Sequence, residues 1–577
     1  MLAAVVLVTG GLGTSIAGVR VSAHHPERAA ALAATSFLVA IVLVGYRSAV
    51  GIANGYLVAV SRVLRPERRV LASAMQVTDR HRVAILAFVL ISLAALAMTV
   101  ARNKPFWHDE IFTIMVSGLP FATMYRAAAD GIDLAPPLNS GLTRVVHLAG
   151  GVGPVTTRLT PMAGFFAAAL FMFVIVRRRA GTLPALTAAL LPAALQSWPF
   201  AYEARGYALS MACFAAALYG WFEAAAGRRV GVNLGILTVS LAAGLWTHYY
   251  FVLAFMPVVI GEIVRQTAQR RLDVRPWIAM LCAGLMALPL WPLVRAASAQ
   301  RTTFWARPDA GSPLLTRIQA LYRYWFETPE HQLIEIVANV VVTLVVIELA
   351  YRVVWRDWPR RLPSHEVAAL GICFLLPVAG LLLGDYLGVF TERYLIFTTV
   401  GVVLALVLGL WWLAPPSGLA EIAAAVGVIA ATVHLGSRIV TDPERPLNPI
   451  QSRPLLADWL SRSSDPIVIT GSVHYLEIWY YTPQVSKARV LYLADPEGEM
   501  RANGADTVTR GYSALARWTP LPVIPLDEFV AAHPRFWTYR VGSSWIDQSL
   551  IDRRATLIEH GRDRNGESTL YEVTIDR

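Results

Sequence analysis

What this 577-residue chain has least of is charge. Only 15% of its residues are Asp, Glu, Lys or Arg, against roughly a quarter in soluble globular proteins. With 56% hydrophobic residues and a mean hydropathy of +0.50, a string of soluble domains is excluded, although the length would accommodate several. Cysteine is scarce as well. Cys213, Cys282 and Cys373 fall inside apolar runs, at no spacing that suggests zinc or a disulfide framework, and read as small core residues. No glycine loop for a nucleotide phosphate stands out. The run VVLVTGGLGTSIA (5–17) has the outline of a strand, glycine turn and helix, but lacks the acidic residue and further strand–helix alternation that dinucleotide binding requires. There is no internal repeat and no low-complexity segment. No charged start precedes the first apolar run, which argues against a cleaved signal peptide.

What is present is a succession of apolar stretches, each near the ~20 residues needed to cross a bilayer, from the N-terminus to residue 437. The fold class is therefore a polytopic α-helical membrane protein. The net charge of +11 fits Arg-rich loops at a membrane surface rather than nucleic acid. Basic clusters mark cytoplasmic helix ends. They are Arg65/Arg68/Arg69 with Arg80/Arg82, Arg177/Arg178/Arg179, Arg228/Arg229, Arg265/Arg270/Arg271/Arg275 and Arg352/Arg356/Arg360/Arg361. Threading the apolar runs between them predicts 11 core helices, at 82–101, 157–176, 183–199, 206–226, 230–247, 249–264, 276–295, 331–351, 366–386, 393–413 and 418–437. Stretches 2–19 and 29–46 are long enough for an extra hydrophobic hairpin ahead of that core.

This register puts 102–156, 198–206, 246–250, 296–330, 385–393 and everything after 437 outside. Three regions follow: an N-terminal hairpin and basic linker (1–81), a transmembrane core with its first external loop (82–437), and an external domain (438–577). Arg126, Arg144, Arg158, Arg205, Arg301, Arg307, Arg317, Arg323 and Arg393 are then external, against the orientation rule, and a lipid or substrate phosphate is the expected counter-ion. In the long loop, 111–129 and 138–150 read as amphipathic helices on the membrane surface, separated by the stiff GIDLAPPL turn. The tail alternates helical stretches (451–461, 474–481, 526–532) with β-rich runs (466–471, 489–494, 521–525, 536–541, 555–560, 569–575), as in a small α/β domain.

Four polar groups fall on the external face. KPFWHDEIFT (104–113) ends the first core helix with adjacent acids, Asp109 and Glu110. They suit the N-terminus of a following helix, and equally a general base at the membrane surface. WPFAYEARGYAL (198–209) carries Glu203 and Arg205, as a helix cap with a local ion pair or as an anion site flanked by Tyr202 and Tyr207. LWTHYYFVLAF (245–255) places His248 among aromatics, where an interfacial hydrogen-bonding role is the commoner one. VFTERYLIF (389–397) puts Glu392 and Arg393 at a helix mouth, again either as a cap or as part of a site. Each signal is weak alone. Their convergence on one face describes an active site at the bilayer surface.

WHDEIFT, DLAPPL followed by TRLTPMAGFFAAAL, YEARGYAL, THYY and ERYLIF, in this order, resemble the protein-mannosyltransferase-like branch of the GT-C glycosyltransferases. That branch includes the dolichyl-phosphate-mannose protein mannosyltransferases and the bacterial lipid A aminoarabinose transferases. The resemblance covers about residues 82–437 and implies the GT-C fold, a polyprenyl-phosphate-linked sugar donor, and inverting transfer to an acceptor hydroxyl on the extracytoplasmic side of a bacterial inner membrane. It implies Asp109 as the base and Glu110 as the residue shaping the site. A phosphodiester leaving group needs cations around it. Arg205 and Arg393 fit that role best, with Arg158 and Lys104 behind them and Glu203, Tyr207 and His248 completing the substrate site. Many relatives carry His immediately before the Pro-Pro, where this chain has Ala135. Glu203 and His248 could share a divalent ion, but two ligands do not make a site, and no metal or other cofactor is assigned. The expected partners are the lipid-linked donor, a lipid, polysaccharide or protein acceptor, and membrane lipids. The rival reading is a polyprenyl-lipid transporter or flippase, or a lipid-binding relative without activity. Transporters usually place such charges near the midplane, whereas these cluster at one face.

Overall fold

A computed structural model of the protein describes residues 12–16, 19–23, 79–309, 311–326, 362–413, 448–542, 544–563, 566 and 568–575. Near the N-terminus, β1 (Leu12–Ile16) and β2 (Val19–Ala23) pair antiparallel. Within the stretch 2–19, expected as one arm of a hydrophobic hairpin, the described residues are strand rather than helix. The glycines at 10, 11, 13 and 18 weaken a helix there, and Thr14, Ile16, Val19 and Val21 favour strand. The expected segments 29–46, 331–351 and 418–437 lie outside the described residues.

The bundle and its first loop comprise α1 (Arg82–Asn103), α2 (His108–Gly118), α3 (Phe121–Ala129), α4 (Leu138–Gly150), α5 (Leu159–Ala180), α6 (Thr182–Ala194) and α7 (Tyr207–Ala225). It continues through α8 (Val230–Leu245), α9 (Phe255–Gln269), α10 (Arg275–Leu285), α11 (Trp291–Ala299), α12 (Leu314–Phe326), α13 (Ser364–Leu387) and α14 (Thr398–Leu413). Among the described residues, six helices are long and apolar enough to cross a membrane, and three shorter apolar helices accompany them. The expected core helices that fall within the described residues are found with ends shifted by a few residues, except that 249–264 begins as a 3-10 turn and is α-helical only from Phe255, and 276–295 is broken into α10 and α11. The expected 183–199 stops at Ala194. Pro192 interrupts the hydrogen-bond ladder there, and the Ser197 hydroxyl donates to the Pro192 carbonyl at 2.6 Å instead.

α7 is the central helix, packed on α5, α8 and α14. Its run of alanines lets neighbours come close, and Gly220 permits the tightest approach. A Cβ there would lie 2.6 Å from the Asn233 carbonyl oxygen. α1, in contrast, buries only Leu93, Ala97 and Ala101 and turns Val83, Phe88 and Ile91 outward, as a lipid-facing helix does.

One end of the bundle is a belt of ion pairs. Arg178 and Arg228 share Glu223, Arg179 forks onto Glu366, Arg265 onto Glu262, and Arg275 onto Asp273. These are the basic clusters expected to face the cytoplasm. The loop 102–156, the 198–206 and 246–250 turns and the 388–397 segment gather at the opposite end.

The expected surface helix 111–129 is two helices. Pro120 ends α2, and Arg144 on α4 donates to the freed carbonyls of Ser117 (3.3 Å) and Gly118 (2.8 Å). Nor does α2 lie on a membrane surface. Ile111, Phe112 and Ile114 belong to the same hydrophobic core as the tail.

That tail begins with α15 (Pro454–Arg462), β3 (Ile467–Ile469), α16 (Ser472–Tyr481), α17 (Gln484–Lys487), β4 (Val490–Ala494), α18 (Pro496–Asn503) and α19 (Thr507–Ala516). It ends with β5 (Val523–Pro525), α20 (Leu526–Ala532), β6 (Arg535–Val541), α21 (Trp545–Asp552), β7 (Ala555–Arg562) and β8 (Ser568–Ile575). The sheet order is β5-β4-β3-β6-β8-β7, with the first four strands parallel and β8 and β7 antiparallel. All six β-rich runs of the tail are strands. β3 and β4 are continuous apolar runs because helices cover both faces of a parallel sheet.

Candidate active site

The site is built around a turn. Lys104 and Pro105 end α1, and Trp107, in extended conformation, caps α2. Glu110 at the third helical position accepts the Trp107 backbone N–H at 3.4 Å, the reciprocal half of a capping box. The same carboxylate is gripped by Arg158, whose Nε and Nη2 each donate at 2.6 Å. Arg158 also donates from Nη1 to the carbonyls of Ala101 (2.6 Å) and Lys104 (2.9 Å), and from Nη2 to Pro105 (3.2 Å), with its guanidinium over the Phe106 ring. The Ala204 N–H completes Glu110 at 3.0 Å.

Both side chains are 0% exposed. Arg158 therefore has no free N–H for a phosphate, contrary to its expected place in the substrate site. The pair instead joins the end of α1, the start of α2, the entry to α5 and the 203–206 turn.

Asp109, one residue before Glu110, faces the polar side. Its Oδ1 meets His108 Nδ1 at 3.0 Å, and its Oδ2 lies 3.4 Å from Arg393 Nη1. Burial alone would raise the Asp109 carboxyl. The Arg205 charge, the hydrogen bond and charge of His108 and the Arg393 charge outweigh it and hold the group well below the usual carboxylate range.

Arg205 reaches Thr113 Oγ1 at 3.5 Å and pairs with Asp133 at 3.7 Å. Arg393 sits on the 3-10 turn Glu392–Leu395, over the Trp305 ring at 5.4 Å, and its buried Nε has no hydrogen-bond partner. His248 packs against Tyr394, Tyr207 and Tyr250 at ring distances of 5.0, 5.8 and 6.0 Å. Its Nδ1 accepts the Tyr250 backbone N–H at 3.3 Å, which assigns the proton of the neutral ring to Nε2. Burial, then the Arg205 and Arg393 charges, push this imidazole down to about 3.

Glu203 is buried, and its Oε1 has no hydrogen-bond partner. Burial raises its carboxyl to about 7, against the pull of the Lys104 ammonium, which rests 5.5 Å from the Tyr202 ring.

Seven of the residues singled out in the sequence thus converge: Asp109, Arg205, Arg393, Glu203, Tyr207, His248 and Lys104. Asp133 was missed. It lies in the DLAPPL turn, accepts the Ala135 N–H at 3.1 Å and is the ion-pair partner of Arg205. Burial raises its carboxyl despite that arginine. An acid two residues ahead of Ala135 and Pro136 in the first loop was the available signal. Most of the other external arginines have partners of the protein's own. Arg144 caps α2, Arg307 binds the Gly504 carbonyl, and Arg317 pairs with Asp385. Arg205 and Arg393 alone of that set face Asp109 among the described residues. No three His, Cys, Asp or Glu side chains among the described residues are grouped to hold a metal ion.

The chain resembles two solved structures of ArnT from Cupriavidus metallidurans. The apo form has a TM-score of 0.55 at 10% identity, covering 85% of this chain and 98% of that one. The form bound to undecaprenyl phosphate has a TM-score of 0.51 at 12% identity, covering 84% and 97%. The chain has the GT-C fold. No protein-family model and no curated protein sequence matches it. In this GT-C fold, at such low identity, the polar mouth must be read from its own residues.

Removing one partner of a fully buried ion pair strands the other charge. Glu110→Gln and Arg158→Met should each destabilise the protein by about 3–5 kcal/mol, and the double variant by clearly less than the sum. Thermal unfolding of the four proteins in nanodiscs checks this.

Glu203 generates a pH prediction. Its folded carboxyl ionises at about 7 rather than near 4.5. The penalty for its buried charge is therefore absent below the lower value, builds between the two and is complete above the higher. Glu203→Gln should gain thermal stability relative to wild type between about pH 5 and about pH 8. A difference independent of pH would show that this carboxyl does not titrate there.

Proposed function

We propose that the protein is an inverting glycosyltransferase that moves a sugar from a polyprenyl-phosphate donor to an acceptor hydroxyl. The observation that carries this reading is the convergence of Arg205 and Arg393 on Asp109 at the mouth of an apolar bundle. The likeness to an ArnT structure bound to undecaprenyl phosphate supports the donor class. In this reading the acceptor oxygen, on a lipid, polysaccharide or protein, attacks C1 from the face opposite the phosphate. The C1–O bond breaks with its electron pair going to the lipid phosphate, and Asp109 takes the acceptor proton. The site and the α/β domain lie on the extracytoplasmic side of a bacterial inner membrane, with the Arg–Glu belt in the cytoplasm.

The electrostatics give this reaction an order. A carboxylate whose proton affinity is held down by two arginines is a weak base. A donor phosphate entering between Arg205 and Arg393 neutralises part of that charge, so the affinity of Asp109 for a proton rises once the donor is seated. Those two cations also stabilise the departing phosphate. Lys104 adds charge at the rim. Glu203, protonated for part of the time near neutrality, can donate a hydrogen bond to a sugar oxygen.

Asp109→Asn should lower release of polyprenyl phosphate by at least about 100-fold, measured in nanodiscs with bacterial polyprenyl-phosphate sugars and an envelope extract as acceptor source. Equal release by both proteins would remove Asp109 as the base and bring forward the transporter or lipid-binding reading. Arg393→Gln should weaken binding of polyprenyl phosphate itself by at least about tenfold, read by displacement of a fluorescent polyprenyl phosphate. Unchanged affinity would take Arg393 out of the phosphate site.

A further inference from the structure

The α/β domain holds a second cleft, away from Asp109. In its parallel sheet, β3 comes first in the chain. The chain then goes to β4 and β5 on one side and returns to β6 on the other. The point between β3 and β6 is where the strand order reverses, and open α/β sheets bind ligands outside the carboxyl ends of strands at such points. Both strands end in a glycine there. A Cβ on Gly471 would lie 2.8 Å from the Val541 carbonyl oxygen, and Gly542 has φ +65°.

Beyond each glycine a helix begins, and the two helix starts are tied together. Ser544 caps α21 by accepting the Asp547 N–H at 3.2 Å, and donates to the Thr470 carbonyl at 2.9 Å. Trp545 Nε1 donates to Ser472 Oγ at 3.0 Å. The amino ends of α16 and α21 therefore meet at one place.

A cleft of about 510 Å³ opens at this point, lined by His474, Arg540, Gly542, Arg562 and Thr569, within the size range of small-molecule sites. Arg540 lies over the Tyr571 ring and within 3.8 Å of Asp547, and Arg562 is held by Glu559 at 2.9 Å. Asp547 is only 6% exposed and is served by groups of the chain itself, the Thr470 hydroxyl and Arg540. Two guanidinium groups, an imidazole and two helix amino ends call for an anion.

We infer that this cleft binds a small anionic ligand, one bearing a carboxylate or a phosphate. Arg540, Arg562 and His474 meet the anionic group. The occupied cleft also bears on the active site. α16 starts at the cleft with Ser472 and His474, and about 15 Å farther on it holds the loop that carries Asp109. Glu477 accepts the His108 N–H at 3.3 Å, and Tyr481 accepts the Phe106 N–H at 2.7 Å. Binding is read without turnover, so failure of this inference leaves the proposed transfer reaction untouched.

The test titrates the full chain in nanodiscs with glucuronate, glucose 1-phosphate or glucose, and follows backbone hydrogen exchange over 467–481 and 535–552. The expected result is saturable protection by glucuronate, glucose 1-phosphate or both, with none by glucose. Arg540→Gln and Arg562→Gln should each weaken it at least about tenfold. Arg562 is half exposed at the turn end of β7, so its loss leaves the sheet intact and keeps the test valid if Arg540→Gln misfolds. Whether the carboxylate or the phosphate sugar binds tells which anion the cleft selects. No saturable protection up to about 10 mM, or protection equal in wild type and Arg562→Gln, overturns the inference.

Discussion

The Glu110–Arg158 pair is the constraint on which the rest of the site depends. A carboxylate and a guanidinium with no exposed surface are tolerated only if nearly every donor and acceptor is used, and here they are. Arg158 gathers three carbonyls at the end of α1, and Glu110 takes backbone N–H groups from its own cap and from Ala204. The turn between α1 and α2 has little freedom left, so the neighbouring residue must present its side chain to the opposite side. Two adjacent acids of the same type thereby have separate tasks. Glu110 is spent on architecture, and Asp109 is left facing water and cations.

The second organising fact is electrostatic. Arg205 and Arg393 stand on different turns and are both drawn towards Asp109, with Arg205 also paired to Asp133, and neither forms a short forked pair. Distances of 3.4 to 3.7 Å and an unpartnered Arg393 Nε describe cations that are attracted but not satisfied. The far end of the bundle behaves differently, since its arginines form close two-pronged contacts with Glu223, Glu366 and Glu262. The contrast separates charges that complete a structure from charges left with capacity to spare.

Much of this was legible in the sequence. Apolar length and the positions of the arginines are strong signals because the bilayer forbids alternatives, so the helices and their shared polar face could be read directly. The β-rich runs of the tail were legible because buried parallel strands are continuous apolar segments. What could not be read were contacts between distant segments. Nothing local in TRLTP says that Arg158 turns inward to Glu110 rather than outward to a phosphate. Nothing local in HDEIFTIMVSG says that its apolar face packs on a helix, α16, more than 300 residues away rather than on lipid. Asp133 escaped because its neighbours suggested a stiff turn, and the turn's prolines drew more notice than its acid.

The shared core of α2 and the α/β domain has a consequence for how the protein is made. Phe106 donates its N–H to Tyr481, 375 residues later in the chain. During synthesis at ~5–20 residues per second, the Asp109 loop waits on the order of twenty seconds to over a minute before its packing partner has been made. Until then the apolar face of α2 has no core to enter, and Asp109 has no fixed position. A growing chain already anchored in the membrane therefore holds an unfinished site. The polar mouth is complete only when the last domain has folded, so a chain cut short before that domain would carry the helices without a fixed Asp109.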